Sequence, residues 1–200
     1  MTNAPLLSII IPIYKESKET LTLCIERLCD QHLIENCELI FVDGSENKEG
    51  VSQLKSLKYE HQIKLLSSKK GRATQMNTGA KAAVGDYLLF LHADTELPQN
   101  GIALILKAFN NSNYQAGAFD LSFLNAKRIL KLISWSASLR SRLTRIPFGD
   151  QGIFIRKTTF EDFNGFAEIP LMEDIELMKR LRNQKIKIKL LSEPIKTSAR

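Results

Sequence analysis

The segment Leu7–Ile13 constrains the fold most strongly, because nearly all of its residues are apolar. A run without polar alternation predicts a strand that is buried on both faces. Strands of this kind occur in sheets that helices cover on both sides. The segment therefore favours the core of an α/β protein over a half-exposed antiparallel sheet.

The residues after this run alternate between helical patterns and short strand-like runs. The pattern predicts helices over residues 19–31, 74–83 and about 100–110, and strands over residues 38–42, 63–66 and 86–92. Such alternation predicts an α/β fold with a Rossmann-like, mainly parallel sheet and helices on both faces.

The pattern changes from residue 116 onward. Ala116–Phe123 alternates in hydropathy, which predicts an antiparallel or edge strand, and residues 127–146 form a basic, apolar stretch of helical pattern. We expect a strand over 152–156, a helix over Glu173–Asn183 and a last strand over 185–191. No repeat or linker interrupts the chain, so we expect one domain over residues 1–200. Its two halves, 1–115 and 116–200, differ in this pattern.

The charge of the chain is unevenly distributed. The formal net charge is +6, and residues 101–200 carry 17 of the 28 basic but only 9 of the 22 acidic side chains. A basic second half is consistent with an anionic partner or with a solvated basic surface. No aromatic residues interleave with the basic ones to stack bases, so we do not expect nucleic-acid binding.

Several features bear on location. No charged and apolar leader opens the chain, no apolar stretch reaches the roughly 18 residues of a membrane span, and the three cysteines form no Cys-x-x-Cys pair. We therefore expect a protein of the reducing cytoplasm. Residues 128–145 mix apolar and basic side chains, which leaves two interpretations open: a core-packing helix, or an interfacial helix at the inner membrane face.

Polar side chains follow three of the predicted strands. Tyr14 and Glu16 follow the first, Asp43 follows the second, and His92-Ala93-Asp94 follows the fourth. In an open parallel sheet, ligands bind at the carboxyl ends of the strands. A single aspartate there is often only a helix cap. Together, however, Asp43 suits ribose hydroxyls and Asp94 suits the Mg²⁺ or Mn²⁺ that accompanies a diphosphate.

Three further segments carry candidate chemistry. Lys69, Lys70 and Arg72 precede a predicted helix, an arrangement that favours phosphate binding but also fits a solvated basic loop. Neither a P-loop nor a Gly-x-Gly-x-x-Gly motif is present, which argues against those nucleotide-binding classes. Glu173-Asp174 at a predicted helix start is consistent with either capping or a general base.

The order of these motifs resembles that of family 2 glycosyltransferases. The stretches that carry the resemblance are Ile9-Ile10-Ile11-Pro12-Ile13-Tyr14-Lys15-Glu16, Val42-Asp43-Gly44-Ser45, Phe90-Leu91-His92-Ala93-Asp94-Thr95 and Glu173-Asp174. Residues 70–77, 117–120, 148–152, 169–174 and 197–200 are similar to one bacterial subgroup. That subgroup is named for arsenosugar biosynthesis or for association with radical-SAM and selenium-related proteins.

The resemblance implies a glycosyltransferase A fold and an inverting transfer from a nucleotide-diphosphate sugar, by default a UDP-sugar, to a small-molecule or lipid-linked acceptor. Residues 1–115 would be the nucleotide-sugar-binding half of the domain and residues 116–200 the acceptor-binding half. The resemblance has implications for single residues as well. It places Pro12, Tyr14, Glu16 and Asp43 around the base and ribose. It also places Arg72, with Asn77 nearby, at the diphosphate.

The resemblance further implies that Asp94 holds Mn²⁺ or Mg²⁺ and that Asp174 is the general base, supported by Glu173. Gly149, Asp150 and Gln151 would border the acceptor and the donor sugar. The sequence departs from the wider family at the metal motif, because His92-Ala93-Asp94 stands where an Asp-x-Asp motif is usual, and Asp43-Gly44-Ser45-Glu46-Asn47 lacks the frequent second aspartate. His92 is then either a metal ligand or a packed side chain.

Two other functions remain open on the sequence. A nucleotidyltransferase also uses an α/β sheet, a metal and a diphosphate, but it does not need the distal Glu173-Asp174 pair. A nucleotide-sugar-binding protein with a decayed metal site would account for His92. Metal-dependent stabilisation by a nucleoside diphosphate separates the metal-using functions from the decayed site.

Overall fold

A computed structural model describes residues 4–57, 59, 61, 63–123, 140–142 and 144–197. In these ranges the strands form one eight-stranded sheet in the order β3-β2-β1-β4-β7-β6-β8-β5. The strands are β1 Leu7–Ile13, β2 Cys37–Asp43, β3 Ile63–Ser67, β4 Tyr87–Phe90, β5 Thr95–Glu96, β6 Ala116–Phe123, β7 Phe154–Arg156 and β8 Ile188–Thr197.

The helices of the described residues lie between these strands. They are α1 Lys18–Cys29, α2 Glu49–Ser56, α3 Arg72–Ala82, α4 Gly101–Asn110, α5 Lys157–Asp162 and α6 Glu173–Asn183, with 3-10 turns at Ile34–Asn36 and Gly149–Gln151. Strands β3, β2, β1 and β4 run parallel, and β6 pairs parallel with β8. Strand β7 is antiparallel to both of its neighbours, as β5 is to β8.

Alternate side chains of β1 enter two separate cores. Ile9, Ile11 and Ile13 pack with apolar residues of α1, α2 and α4 on one face of the sheet. Ile10 packs with residues of α3, α5 and α6 on the other face. This burial on both sides explains the uninterrupted apolar sequence of β1, and the predicted mainly parallel sheet with helices on both faces is confirmed.

Of the two alternatives for Ala116–Phe123, an antiparallel strand or an edge strand, the structure shows antiparallel pairing and not an edge position. Strand β6 lies between β7 and β8, and it is antiparallel only toward β7, where Ala116 faces Ile155. The first residues of β6 are small because the neighbouring strands β7 and β8 approach closely. A Cβ on Gly117 would lie 2.3 Å from the Phe154 ring. The register with β8 shifts between Phe119 and Asp120, and only beyond this bulge does exposure alternate.

The last strand begins later than the sequence pattern predicts. Lys185 has a positive φ of 57°, and the turn that ends α6 includes the bond from Ile186 N to Leu181 O. Residues 185–187 therefore precede β8, which starts at Ile188 and continues to Thr197. Helices α2 and α5 and the short strand β5 were not predicted. Most of the predicted helix over 127–146 lies outside the described residues.

Among the described residues, no helix combines the length and the apolar character that crossing a membrane requires.

Candidate functional site

The carboxyl ends of β1 and β2 are fastened together by Gln75, a buried residue of α3. Its Nε2 donates to Ile13 O at 2.7 Å and to Val42 O at 2.8 Å. Gly44 N also donates to Ile13 O, at 3.0 Å. The loops that follow β1 and β2 therefore begin at fixed positions. The sequence pattern does not indicate that Gln75 fixes them.

Asp43 ends β2 and is fully buried. Its Oδ1 accepts from Ser45 N at 2.8 Å, and its Oδ2 accepts from Val51 N at 3.1 Å. The carboxylate thus shapes the loop after β2 and holds the first turn of α2. Its predicted contact with base or ribose stays a prediction, and its observed contacts are with backbone N–H groups.

Tyr14 lies exposed beyond the end of β1, beside the half-buried Pro12. Lys70 Nζ lies 4.5 Å from the centroid of the Tyr14 ring, and Lys15 Nζ lies 5.6 Å from it. This cation–π contact brings the loop before α3 to the end of β1. An exposed aromatic face and a basic group are therefore adjacent at this edge.

Glu16 and Asp94 both act electrostatically on Cys24, a buried residue of α1. Burial raises the pKa of the Cys24 thiol to about 12, and the carboxylates of Asp94 and Glu16 contribute to the rise despite the opposing charge of Arg27. Both carboxylates are therefore within electrostatic reach of the same thiol, although they are 78 positions apart in the sequence.

Arg72 opens α3 and forms an ion pair with Glu173, the first residue of α6. The Glu173 side chain is 2% exposed, whereas that of Arg72 is 41% exposed. The pair brings together the N-termini of two helices, whose partial positive charge favours anions. The predicted phosphate-binding and acceptor-side segments therefore meet at this contact.

His92 lies in the electrostatic field of the same group of residues. Burial, and then the charge of Arg72, lowers the pKa of the imidazole, against the opposing effect of three carboxylates: Asp94, Asp174 and Glu173. The lowered pKa favours the neutral imidazole, a form compatible with packing or with metal binding.

Asp174 is buried in the first turn of α6. Its Oδ1 accepts from Ile175 N at 2.8 Å, and its Oδ2 accepts from Gly149 N. The approach is close, since a Cβ on Gly149 would lie 2.8 Å from Asp174 Oδ2. The carboxylate therefore fixes the turn Gly149–Gln151 against the start of α6.

Gln151 anchors the other end of this turn and is fully buried. Its Oε1 accepts from Ser141 Oγ at 2.7 Å and from Phe148 N at 3.0 Å, and its Nε2 donates to Phe119 O at 2.9 Å. Every polar atom of the side chain is thus used to hold backbone and neighbouring side chains. The predicted proximity of Gln151 to the sugars is not tested by these contacts.

Asp150 lies between these two anchored residues and is half-buried. Burial and the charge of Asp174 raise its pKa, while Arg140, the backbone N–H of Asp150 and Arg72 act in the opposite direction. Its Oδ1 is buried and has no hydrogen-bond partner within the described ranges. The Arg140 guanidinium carbon lies 3.3 Å from the centroid of the Phe148 ring.

Asn77, in α3, is bound to the segment that follows α5. Its Nδ2 donates to Phe166 O at 2.8 Å, and its Oδ1 accepts from Phe166 N at 3.0 Å. It also lines a cavity of about 440 Å³ between α3 and α5. The structure thus gives Asn77 a part in holding the segment after α5, and its predicted place near the diphosphate remains a prediction.

A divalent cation is compatible with these residues only if the ligand completes its coordination. In the part of the chain that the structure describes, no three His, Cys, Asp or Glu residues are grouped to hold a metal. Mg²⁺ is commonly bound by one or two carboxylates together with substrate phosphates and water. Asp94 is partly exposed at the edge where Arg72 favours phosphate, so it fits the role of the protein carboxylate in such a site.

Two solved structures are similar to this chain. A mannosyltransferase, PcManGT from Pyrobaculum calidifontis in complex with GDP-Man and Mn²⁺, has a TM-score of 0.77 and 16% identity; the match covers 99% of this chain and 57% of that one. S. aureus TarS 1–349 in complex with UDP has a TM-score of 0.76 and 16% identity, with coverage of 96% and 60%. These likenesses show the fold, which is of the glycosyltransferase A type.

The sequence model of the family described as Glycosyl transferase family 2 matches residues 8–167. The chain belongs to this family. It spans about three fifths of the length of the two similar structures. A search of curated protein sequences found no significant match.

Proposed function

We propose that this chain is an inverting, metal-assisted glycosyltransferase that moves a sugar from a nucleotide diphosphate to a hydroxyl group of an acceptor. The ion pair between Arg72 and Glu173 is the observation that carries the proposal. The pair joins the N-terminus of α3, which is suited to a diphosphate, to the N-terminus of α6, where the first two residues are Glu173 and Asp174. A donor and an acceptor bound on either side of this contact would meet at their reacting atoms.

In the donor half, residues 1–115, Pro12, Tyr14 and Glu16 would line the base and ribose. The exposed Tyr14 ring supports this placement because it offers an apolar face for stacking. Asp43 would act by fixing the adjoining loop, because both of its oxygens already hold that loop.

The diphosphate would bind at the start of α3, where Arg72 and the backbone N–H groups offer donors. Asn77, one turn further along, would keep the segment after α5 in place against this helix. A divalent ion held by Asp94 would neutralise charge on the departing nucleoside diphosphate. The nucleotides bound by the two similar structures support testing both UDP-sugars and GDP-sugars.

In the acceptor half, residues 116–200, a single in-line displacement would invert the anomeric carbon. The resemblance assigns proton removal from the acceptor to Asp174, with Glu173 in support. The contacts of Glu173 with Arg72 and of Asp174 with Gly149 support a position for both at the reaction centre. Gly149, Asp150 and Gln151 would border the two sugars.

The acceptor is proposed to carry an apolar part, as a lipid-linked acceptor does. Ile169, Leu171 and Met172 are exposed immediately before Glu173, and Leu171 is 73% exposed. A cytoplasmic location with contact at the inner membrane face would suit such an acceptor, and the buried thiols of Cys24 and Cys37 suit a reducing compartment. The motifs at residues 70–77 and 148–152 support placement in the arsenosugar or radical-SAM-associated subgroup.

Release of nucleoside diphosphate from UDP-glucose and GDP-mannose, with and without Mn²⁺, tests the proposal. We expect Mn²⁺-dependent release by the wild type, loss of that dependence in Asp94→Asn, and no effect of Asp86→Asn, a matched change of an exposed aspartate. Equal rates for wild type and Asp94→Asn would contradict the role of Asp94.

The products of this assay also separate the alternatives. Release of a sugar 1-phosphate would indicate nucleotidyl transfer, because the bond between the phosphates is then broken and the nucleoside monophosphate passes to the acceptor. Nucleotide binding without any turnover would favour a binding protein with a decayed metal site.

A further inference from the structure

Thr95 and Thr197 form a buried pair of hydroxyl groups directly after Asp94 in the chain. The Thr95 hydroxyl donates to Thr197 Oγ1 at 3.2 Å, and the two residues are 4% and 6% exposed. They face each other in the antiparallel pairing of β5 with β8. Because the two residues are 102 positions apart, the contact links the segment after β4 to the end of the last strand.

The position of Asp94 depends on that of Thr95, because both belong to one tight turn. Thr95 N donates to His92 O at 3.1 Å, which closes a turn that contains Asp94. The other end of this turn is attached to β1, where Leu91 N donates to Ile10 O at 3.0 Å. With that end fixed, a shift of Thr95 would be passed on to Asp94.

Strand β5 has few other contacts that could fix Thr95. The strand has two residues and pairs with β8 at Thr95 and Glu96. Glu96 also forms ion pairs with Arg27 and Lys196, each at 3.5 Å, but the three side chains are partly exposed and such pairs contribute little. The hydroxyl pair of Thr95 and Thr197 is buried and directional, and buried polar contacts of this kind favour one unique arrangement.

Packing alone does not account for two threonines at this place. Valine has the shape of threonine without the hydroxyl group. Replacing both partners of a buried hydrogen bond by apolar groups of the same shape can leave stability nearly unchanged. The hydrogen bond therefore bears on where β5 lies more than on how stable the fold is.

We infer that Thr197 is a positioning residue for the proposed metal site, and that it acts through Thr95 to hold the Asp94 carboxylate in place. The inference rests on the proposed function, which assigns a divalent cation to Asp94. Residues that orient a metal ligand without touching the metal typically change metal affinity by about 10–100-fold when they are replaced. The end of β8 would thus tune a site on the segment that follows β4.

The test is the affinity for Mn²⁺ in the presence of UDP or GDP. Electron paramagnetic resonance measures it, because the signal of unbound Mn²⁺ falls as the ion binds, and nucleotide with Mn²⁺ but without protein gives the baseline. The variants are Thr197→Val, the double variant Thr95→Val with Thr197→Val, and Thr197→Ser, which keeps the hydroxyl group.

Thr159→Val is the matched control. Thr159 is a buried threonine of α5, and its hydroxyl donates to Gln115 Oε1 at 3.1 Å. Helix α5 begins beside the amino end of β4, where Lys157 N donates to Asp86 O. The variant therefore removes a comparable hydrogen bond at the end of β4 opposite to the Asp94 turn.

We expect Thr197→Val and the double variant to bind Mn²⁺ about 10–100-fold more weakly than the wild type. Thr197→Ser and the Thr159→Val control should keep the wild-type affinity. Thermal unfolding without ligands should give a different order. The double variant should have a Tm close to that of the wild type, whereas Thr197→Ser, which loses a buried methyl group, should have a lower Tm.

Two results would overturn the positioning role of Thr197. One is wild-type Mn²⁺ affinity in the double variant. The other is a loss of affinity in Thr197→Ser or Thr159→Val as large as that in Thr197→Val, because affinity would then follow stability. Absence of nucleotide-dependent Mn²⁺ binding in the wild type would overturn the proposed metal-assisted transfer together with this inference.

Discussion

Gln75 shows how one side chain organises the edge of the sheet at which the site lies. Both hydrogens of its amide are used, on the carbonyl oxygens of Ile13 and Val42, within 2.7–2.8 Å. The space around it is full, because a Cβ on Gly44 would lie 2.8 Å from the Gln75 amide carbon. The ends of β1 and β2, from which Tyr14 and Asp43 start, therefore depend on this residue.

Gln75→Glu is expected to lower the free energy of unfolding by about 1–3 kcal/mol, since the new carboxylate would face two carbonyl oxygens instead of donating to them. Urea unfolding at pH 8 measures the change. Gln99→Glu, at an exposed loop position, is the matched control and should have little effect. Equal, small losses in both variants would show that the Gln75 amide does not hold the two strands.

At the scale of elements, helix α3 approaches the sheet unusually closely. A Cβ on Gly79 would lie 2.5 Å from Ile10 Cγ2 and 3.2 Å from Val42 Cγ2, so glycine lets the helix backbone sit directly on β1 and β2. This contact fixes the height of α3 above the sheet. Arg72, at the start of the same helix, is thereby placed at the carboxyl edge.

Gly79→Ala is expected to destabilise the protein by about 1–3 kcal/mol through overpacking, although alanine favours a helix by about 1 kcal/mol over glycine. Lys81→Ala, two residues along and exposed, is the control for helix propensity. Chemical unfolding of both variants measures the difference. A gain in stability for Gly79→Ala would contradict the close packing.

The sequence predicts those elements whose pattern is local. Leu7–Ile13 was predicted over its full length because both of its faces are buried, and Glu173–Asn183 because its apolar residues recur at helical spacing. The start of β8 was not predictable in the same way, since Lys185 continues an alternating pattern but adopts a left-handed turn. Helix α2 was not predicted because its first turn is held by the Asp43 carboxylate, which accepts a hydrogen bond from Val51 N and leaves no trace in the local hydropathy pattern.

In the candidate site, too, features with a local sequence pattern could be predicted, whereas contacts between distant residues could not. The strand ends that deliver Tyr14, Asp43 and Asp94 to one edge could be predicted from the rule for parallel sheets. The pairing of Arg72 with Glu173 joins residues 101 positions apart, and no local pattern indicates it. The sequence predicts Gln151 near the sugars, whereas its contacts in the structure are with the Ser141 hydroxyl and with backbone atoms of Phe148 and Phe119, and no local pattern indicates them.

At the scale of the whole molecule, the two halves of the chain share one sheet. Strand β7, from the second half, lies between β4 and β6 and is antiparallel to both. Because β7 pairs with β4, the turn that contains Asp150 and precedes β7 lies near the end of β4. Asp94 follows β4 in the sequence, so it starts from the same place. The residues proposed to bind donor and acceptor are therefore brought to one edge by the sheet itself, and the ion pair of Arg72 and Glu173 adds a further link between the halves.

The most direct test of the central claim is a thermal-shift panel of UDP, GDP and their sugars, with and without Mn²⁺, on the wild type and Asp94→Asn. At a concentration about 100-fold above Kd, a ligand stabilises the fold by about 2.7 kcal/mol, which for this size is a rise in Tm of roughly 5–10 °C. The account predicts such a rise for at least one nucleotide in the wild type only with Mn²⁺, and none in Asp94→Asn. A panel without any shift, or a shift that needs neither Mn²⁺ nor Asp94, would contradict a metal-assisted nucleotide site at this edge of the sheet.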